Sequence, residues 1–250
     1  MAYHAPVPTD LARVDPKLLE LARQVSTATL TSQLQKRGFA NTFMYGVVAL
    51  RPDLRLAGQA LTLRYIPARE DLDPVETDNR TSKQRIAVES VGPGDVLVVD
   101  ARGDVRAATL GDTPATRIKL RGAAGIVTDG AFRDTPSIRM IDLPTYAQGQ
   151  NPYVSTRVHH PLEINVPIGC GGVAVMPGDV VVGDGEGVVV IPRGIAEDVI
   201  AAAYEQDQRE EFIRDKIQRG ASILGVYPPD EQTLREYEEW KGAHGPQRLR

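Results

Sequence analysis

Hydrophobic residues in this chain gather in short runs cut by Gly, Pro and Asp, and few stretches show helical spacing. A run without alternation reads as a strand covered on both faces. Val96–Asp100 (VLVVD) and Gly125–Thr128 (GIVT) are such runs; Tyr45–Leu50, Gln59–Tyr65, Thr145–Ala147, Ile164–Val166 and Gly172–Met176 also read as strands. PGDVVVGDGEGVVVIP predicts a hairpin, two Val-rich strands around Gly183–Gly187. The phrase PGDV occurs at Pro93 and again at Pro177, each time as a turn into a Val-rich strand. Helices are expected over Pro16–Gln24, behind Asp15, and over Thr29–Arg37, capped by Ser26 or Thr27 and closed by Gly38. Ser82–Ser90 suggests another. Ile195–Arg219 reads as a long charged helix, with Ile200, Tyr204, Phe212 and Ile217 as a partial apolar stripe. Strands alternating with helices predict an α/β fold.

The stretch that organises the rest is Gly111–Asp134, GDTPATRIKLRGAAGIVTDGAFRD. Thr113 is a candidate N-cap, Pro114 suits a first helical turn, and Gly122 stops the helix after about Arg121. Asp129-Gly130 reads as the turn that leaves the second strand. Parallel strands joined by a crossover end on the same edge of their sheet. Asp112, which leaves the first strand through the Ala101–Gly111 loop, is therefore expected to meet Arg133 and Asp134, which leave the second. Two carboxylates and a guanidinium beside a helix N-terminus suit a hard cation and a small organic anion. The plainer reading makes Asp112 a cap and Arg133-Asp134 a surface pair at a turn.

Composition narrows the partners. A chain of 250 residues with 42% apolar and 25% charged residues suits one large domain. We divide it into a flexible arm (1–14), the domain (15–225) and an extension (226–250) whose Tyr and Trp can cap their own domain or anchor on a neighbour. A net charge of −4 offers no basic face for nucleic acid. The single cysteine, Cys170, leaves no disulfide framework and no thiolate metal site. No apolar run approaches the ~18 residues of a membrane span and no export signal opens the chain, so a cytoplasmic protein is expected. His159-His160 point to opposite faces if they lie on a strand, so at most one can share a site, and no further His or Cys stands near. The acidic residues Glu70, Asp71, Asp73 and Glu76 read as a solvated loop, and Asp184 and Glu186 as turn residues in water.

The spacing D-x20-R-D of Asp112, Arg133 and Asp134 resembles the signature of class II pyruvate aldolases related to 4-hydroxy-4-methyl-2-oxoglutarate / 4-carboxy-4-hydroxy-2-oxoadipate aldolase. That family contains the RraA-like proteins, named for a regulator of ribonuclease E activity. VSTATLTSQLQKRG, GQALTL, PGDVLVVD, RGAAGIVTDGAFRD and PGDVVVGDGEGVVVIP resemble family blocks in family order, over roughly Ser26–Gly220. The resemblance implies a single-domain α/β sandwich like the swivelling β/β/α fold, assembled as a homotrimer or a hexamer of two trimers, with active sites at subunit interfaces. It implies that Asp134 binds a divalent metal, Mg²⁺ or Mn²⁺, that Arg133 holds the substrate and stabilises an enolate, and that Asp112 positions metal-bound water. Gly111, Asp112, Thr113 and Pro114 would line the substrate carboxylate, and Glu210 or Glu211 would reach a neighbouring subunit's site, the plainer reading of each being a solvated charge. The implied reaction cleaves a 4-hydroxy-2-oxo acid to pyruvate and an oxo acid or aldehyde, the hydroxyl proton passing to metal-bound water or hydroxide. Oxaloacetate decarboxylation and cleavage of sugar-derived 2-oxo-3-deoxy acids share the same enolate, and a non-catalytic regulator of ribonuclease E is the alternative. Position 114 departs from the aldolase pattern, which usually has Leu there: Pro has no N–H, so Thr113 or Ala115 must donate instead.

Overall fold

The structure, a computed structural model, describes residues 12–73, 78 and 80–244. Most of the expected arm, residues 1–11, lies outside that range, as does Glu76 of the acidic loop. The described part opens with α1 (Pro16–Ala22), where the Asp15 carboxylate accepts from Lys17 N, and α2 (Thr27–Lys36), where the Ser26 hydroxyl accepts from Thr29 N. Strands β1 (Val48–Ala49) and β2 (Leu56–Pro67) lead to α3 (Lys83–Ser90). Then come β3 (Asp95–Asp100), β4 (Ala108–Leu110), α4 (Asp112–Leu120), β5 (Gly125–Phe132), the one-turn α5 (Thr135–Ile138) and β6 (Thr145–Gln150). β7 (His159–Ile164) precedes a small hairpin, β8 (Ile168–Cys170) and β9 (Val173–Val175), and a larger one, β10 (Val180–Gly183) and β11 (Val188–Ile191). Helices α6 (Ala196–Gln218) and α7 (Glu231–His244) follow.

Strands β6, β5, β3 and β2 lie side by side and parallel; β10 and β11 extend the sheet antiparallel beyond β2. A bridge from Phe43 to Val189 ties the segment ahead of β1 back to β11, which nearly closes the sheet into a barrel. Alternate residues then serve two cores. Val96 and Val98 of β3 turn inward with Met44, Leu56, Val127 and Val181, while Leu97 and Val99 turn outward beneath helices. The inner face is closed by the sheet and the outer by α1, α2 and α6 on one part and α3, α4 and α5 on the other. Burial on both faces is why the strands read as unbroken apolar runs.

Both PGDV turns flank β2 and use the same hydrogen bond. Asp95 accepts from Gly92 N at 2.8 Å and Asp179 from Met176 N at 2.9 Å, each carboxylate reaching back three residues. Asp95 also pairs with Arg13, which docks the end of the expected arm onto the sheet beside buried Val14. Here β2 needs glycine: a Cβ on Gly58 would stand 2.7 Å from Gly94 O and from Val96 Cγ2. Gly58→Ala is therefore expected to destabilise the fold by about 1–3 kcal/mol through overpacking, read as a lower urea midpoint at unchanged slope.

Several expectations are corrected. The strand β5 runs straight through Asp129-Gly130, because the Asp129 carboxylate has its own donors, Ala101 N at 2.7 Å and Gly103 N at 3.0 Å, and stays buried. The Ala101–Gly111 loop contains β4, which pairs with β5. Tyr45–Leu50 shrinks to the two residues of β1, and Ile164–Val166 is displaced by β7, whose strand ends at Ile164. Asp184 is not a turn residue in water. Its side chain, 15% exposed, accepts from Thr27 N at 2.9 Å and Thr27 Oγ1 at 2.8 Å and faces Arg55 at 3.6 Å, pinning the hairpin tip to the start of α2.

Candidate active site

Helix α4 starts ahead of the expected cap. Gly111 rather than Thr113 is its N-cap, Asp112 holds the first helical position, and the Thr113 hydroxyl instead reaches Asp112 Oδ1 at 3.3 Å. Pro114 falls at the third position, where no intrahelical bond requires an N–H. Ala115 N already donates to Gly111 O at 3.2 Å, so of the two substitutes for residue 114 only Thr113 N precedes the helical bonding. At the end of β5, Arg133 N donates to Leu110 O at 3.1 Å, which holds this strand end against β4. Asp134 follows in the left-handed region (φ 55°, ψ 33°), a conformation Asp tolerates, and its carbonyl accepts from Ser137 N and Ile138 N to start α5.

Arg133 Nε lies 3.1 Å from Asp134 Oδ2, an ion pair between side chains each 38% exposed. The approach lacks hydrogen-bond geometry, so buried Nε keeps an unused proton. Gly111 permits this proximity: a Cβ there would stand 2.7 Å from Asp134 Oδ2 and 2.9 Å from Arg133 Cγ.

Gly111, Asp112, Thr113, Pro114, Arg133 and Asp134 line one cavity of about 850 Å³. The convergence expected at the sheet edge is thus present. The same cavity is lined by residues the sequence did not nominate, among them Lys83 and Gln84 of α3, Ser155, Thr156 and His160. Gln84 donates to Tyr65 Oη at 3.0 Å and to Thr109 O, and Tyr65 Oη donates to Thr109 O at 3.1 Å. These residues come from segments far apart in the chain, and only the His159-His160 pair gave a signal.

That pair does split across β7. Buried His159 stacks on Tyr65 with centroids 5.5 Å apart. Its Nδ1 is 3.0 Å from Arg102 Nη2 and its Nε2 3.2 Å from Ala107 O. Arg can only donate, so Nδ1 accepts and the ring is neutral with its proton on Nε2. Burial, with the Arg102 charge adding to it, holds the His159 pKa below the usual 6.5. Below pH 6.5 the unfolded chain takes up a proton that the folded one resists, so this contribution to stability is full above pH 6.5 and is lost as pH falls. His159→Gln is expected to flatten the slope of the urea midpoint against pH on the acid side of neutrality.

Residues 27–190 match the RraA-like family model, Aldolase/RraA. The chain belongs to this family. A relative from Halalkalibacterium halodurans, provisionally named a 4-hydroxy-4-methyl-2-oxoglutarate aldolase, is 40% identical over 135 residues, which are 52% of this chain and 64% of the relative. The chain thus spans less than two thirds of that relative's length. The crystal structure of Streptomyces coelicolor RraAS2, described as an unusual member of the RNase ES inhibitor RraA protein family, matches with TM-score 0.72 and 37% identity, over 82% of this chain and 98% of that one. An uncharacterized protein from Pseudomonas syringae pv. tomato matches with TM-score 0.75 and 24% identity over 87% of this chain and 100% of its own, and shares the fold.

A divalent cation of the kind the resemblance implies would need oxygen donors on this cavity. Among the described residues no group of three or more His, Cys, Asp or Glu side chains is placed to hold a metal. Asp112 and Asp134 do share the cavity, and Mg²⁺ is commonly held by one or two carboxylates with its other positions left to water and substrate oxygens. The residues fit such an ion. On α6, Glu210 accepts from Gln206 Nε2 at 2.8 Å, while Glu211 keeps Oε2 buried without a partner. The tail caps its own domain: Tyr237 and Trp240 pack on Phe212 with centroids 5.7 and 5.6 Å away. Among the described residues no helix is long and apolar enough to cross a membrane.

Proposed function

We propose that the chain is a carbon–carbon lyase that cleaves a 4-hydroxy-2-oxo acid to pyruvate and an oxo acid or aldehyde, aided by Mg²⁺ or Mn²⁺. The observation that carries this reading is the convergence of Arg133, Asp134 and Asp112 with the N-terminus of α4 on one cavity. The provisional aldolase name of a 40% identical relative supports it.

The chain's own groups divide the work. Arg133 offers a planar fork to the substrate's carboxylate and 2-oxo oxygens, and its Nε supplies a donor that no acceptor among the described residues uses. Thr113 N adds a backbone donor at the positive end of α4. Asp134 would hold the cation, with Asp112 on the wall of the same cavity. When bound, that cation supplies positive charge where the enolate's negative charge develops. Arg133 adds a second fixed charge at the same place, so cleavage needs no Schiff-base lysine. Such a site would also serve oxaloacetate decarboxylation or cleavage of a sugar-derived 2-oxo-3-deoxy acid.

The test is pyruvate release from 4-hydroxy-4-methyl-2-oxoglutarate, 2-oxo-3-deoxy sugar acids and oxaloacetate, with Mg²⁺ or with EDTA. Release that stops with EDTA and with Asp134→Ala is the expected result. Silence across the panel from a folded, Mg²⁺-supplied protein would sink the lyase reading. The 37% identity to Streptomyces coelicolor RraAS2 supports a second reading, a regulator that binds a ribonuclease of the E type, for which retention on immobilised enzyme without turnover is the mark. We also propose assembly as a trimer or a pair of trimers, supported by the buried, unpartnered Glu211 Oε2 and by Leu224 at 85% and Tyr227 at 54% exposure. Light scattering checks the mass.

A further inference from the structure

We infer that His160 moves the proton in the cleavage and that Asp73 holds it in the tautomer this requires; the inference rests on the lyase reading above. His160 sits on β7, in register with Ile66 of β2, and lines the cavity that Asp112, Arg133 and Asp134 share. Its side chain is 21% exposed, largely enclosed yet open to that space. Nδ1 lies 2.9 Å from Asp73 Oδ1, and Nε2 makes no hydrogen bond among the described residues.

The partner carboxylate is built in. The Asp73 side chain is 6% exposed although it comes from a loop, and its second oxygen accepts from Arg69 N at 3.1 Å. The loop folds back to place it, with Leu72 N and Asp73 N both donating to Arg69 O at 2.9 Å. An ionised carboxylate only accepts, so it draws the imidazole proton to Nδ1 and leaves a lone pair on Nε2. This is the arrangement by which a carboxylate orients a histidine base. The other charged groups on the cavity wall are Asp78, Lys83, Arg85, Asp112, Arg133 and Asp134.

The substrate's shape calls for a base here. Arg133 and the α4 N-terminus take the carboxylate and the 2-oxo group. The 4-hydroxyl lies two carbons further on, so a different part of the wall must receive its proton. His160 Nε2 takes that proton, and the O–H electron pair forms the new C=O at C4. The C3–C4 bond breaks, and its pair becomes the C2–C3 double bond of the enolate. The imidazolium then returns the proton to C3, which gives pyruvate and restores neutral His160. Nothing is oxidised, and the proton count closes.

A structural role, in which the pair only pins the loop to β7, predicts something else. His160→Asn keeps an amide donor near the Nδ1 position for Asp73 but has no Nε2. The expected result is a fall in kcat of about 10²- to 10⁴-fold with KM little changed. The pH–rate profile should change shape, and imidazole should restore part of the rate to His160→Ala. Asp73→Asn should lower kcat less, since the base remains but its tautomer is no longer fixed. His160→Asn with wild-type kcat and pH profile would reduce the pair to a loop pin and overturn the inference alone. A wild-type protein that neither releases pyruvate nor exchanges pyruvate's methyl protons with D₂O would overturn the lyase reading and this inference with it.

Discussion

Replacing Arg133 by Ala is expected to lower kcat/KM for pyruvate release by about 10²- to 10³-fold, and Arg133→Lys to recover little of it. The reason is the state of this guanidinium before substrate arrives. Its Nε is buried without a hydrogen bond, and its 3.1 Å approach to Asp134 Oδ2 is an ion pair that spends none of its directed donors. A donor held out of water with no acceptor is costly, and it is tolerated where a ligand completes it. A ground-state carboxylate gains from the fork, but an enolate oxygen gains more, because its charge grows as the bond breaks. Lysine carries the same charge as a point and cannot reproduce two parallel bonds. The fold should survive, since the anchoring bond from residue 133 to Leu110 O is made by the backbone. Steady-state kinetics beside far-UV circular dichroism settles it, and a loss below tenfold would remove Arg133 from the reaction.

Gly111→Ala is the second large effect, expected at about 10- to 100-fold in kcat/KM with little change in the unfolding midpoint. Glycine is not required here by the backbone: φ is −120° and ψ −165°, extended values open to any residue. What alanine adds is a methyl 2.7 Å from Asp134 Oδ2 and 2.9 Å from Arg133 Cγ. Both neighbours are side chains with room to turn toward the cavity, so the fold yields cheaply and the site absorbs the displacement. Misplacing reacting groups by a fraction of an ångström to an ångström is enough to cost rates of this size. Gly58→Ala makes the contrasting control, since its methyl meets the backbone oxygen of Gly94 inside the sheet. Wild-type turnover in Gly111→Ala would show that Arg133 and Asp134 need not stand as close as they do.

Much of the site was legible because its residues lie on one crossover unit. Asp112 and Arg133-Asp134 follow two neighbouring strands, and the rule that parallel strands end on one edge brings them together without further information. The refinements came from local bonding: Gly111 caps α4 because the helix begins at Asp112, and Ala115 is no substitute donor because Gly111 O already takes its N–H. Gln84 is not nominated by the sequence, Asp73 reads there as part of a solvated loop although its side chain is 6% exposed, and His160 enters only as one of a pair of which at most one can share a site. Each reaches the cavity from another strand, loop or helix. Asp184 shows the same limit, since its two bonds to Thr27 cross 157 residues of sequence.

The sequence by itself determined the α/β class, most of the strands and helices, and the meeting of Asp112, Arg133 and Asp134, because apolar runs, caps and crossover handedness are local or nearly local constraints. Only the tertiary structure decided that the sheet curls until Phe43 bridges Val189, that β5 runs on through Asp129, and that His160 faces the cavity while His159 is buried against Tyr65. Those outcomes depend on which distant backbone donors and side chains arrive beside a residue, and a chain records that partnership only once it is folded.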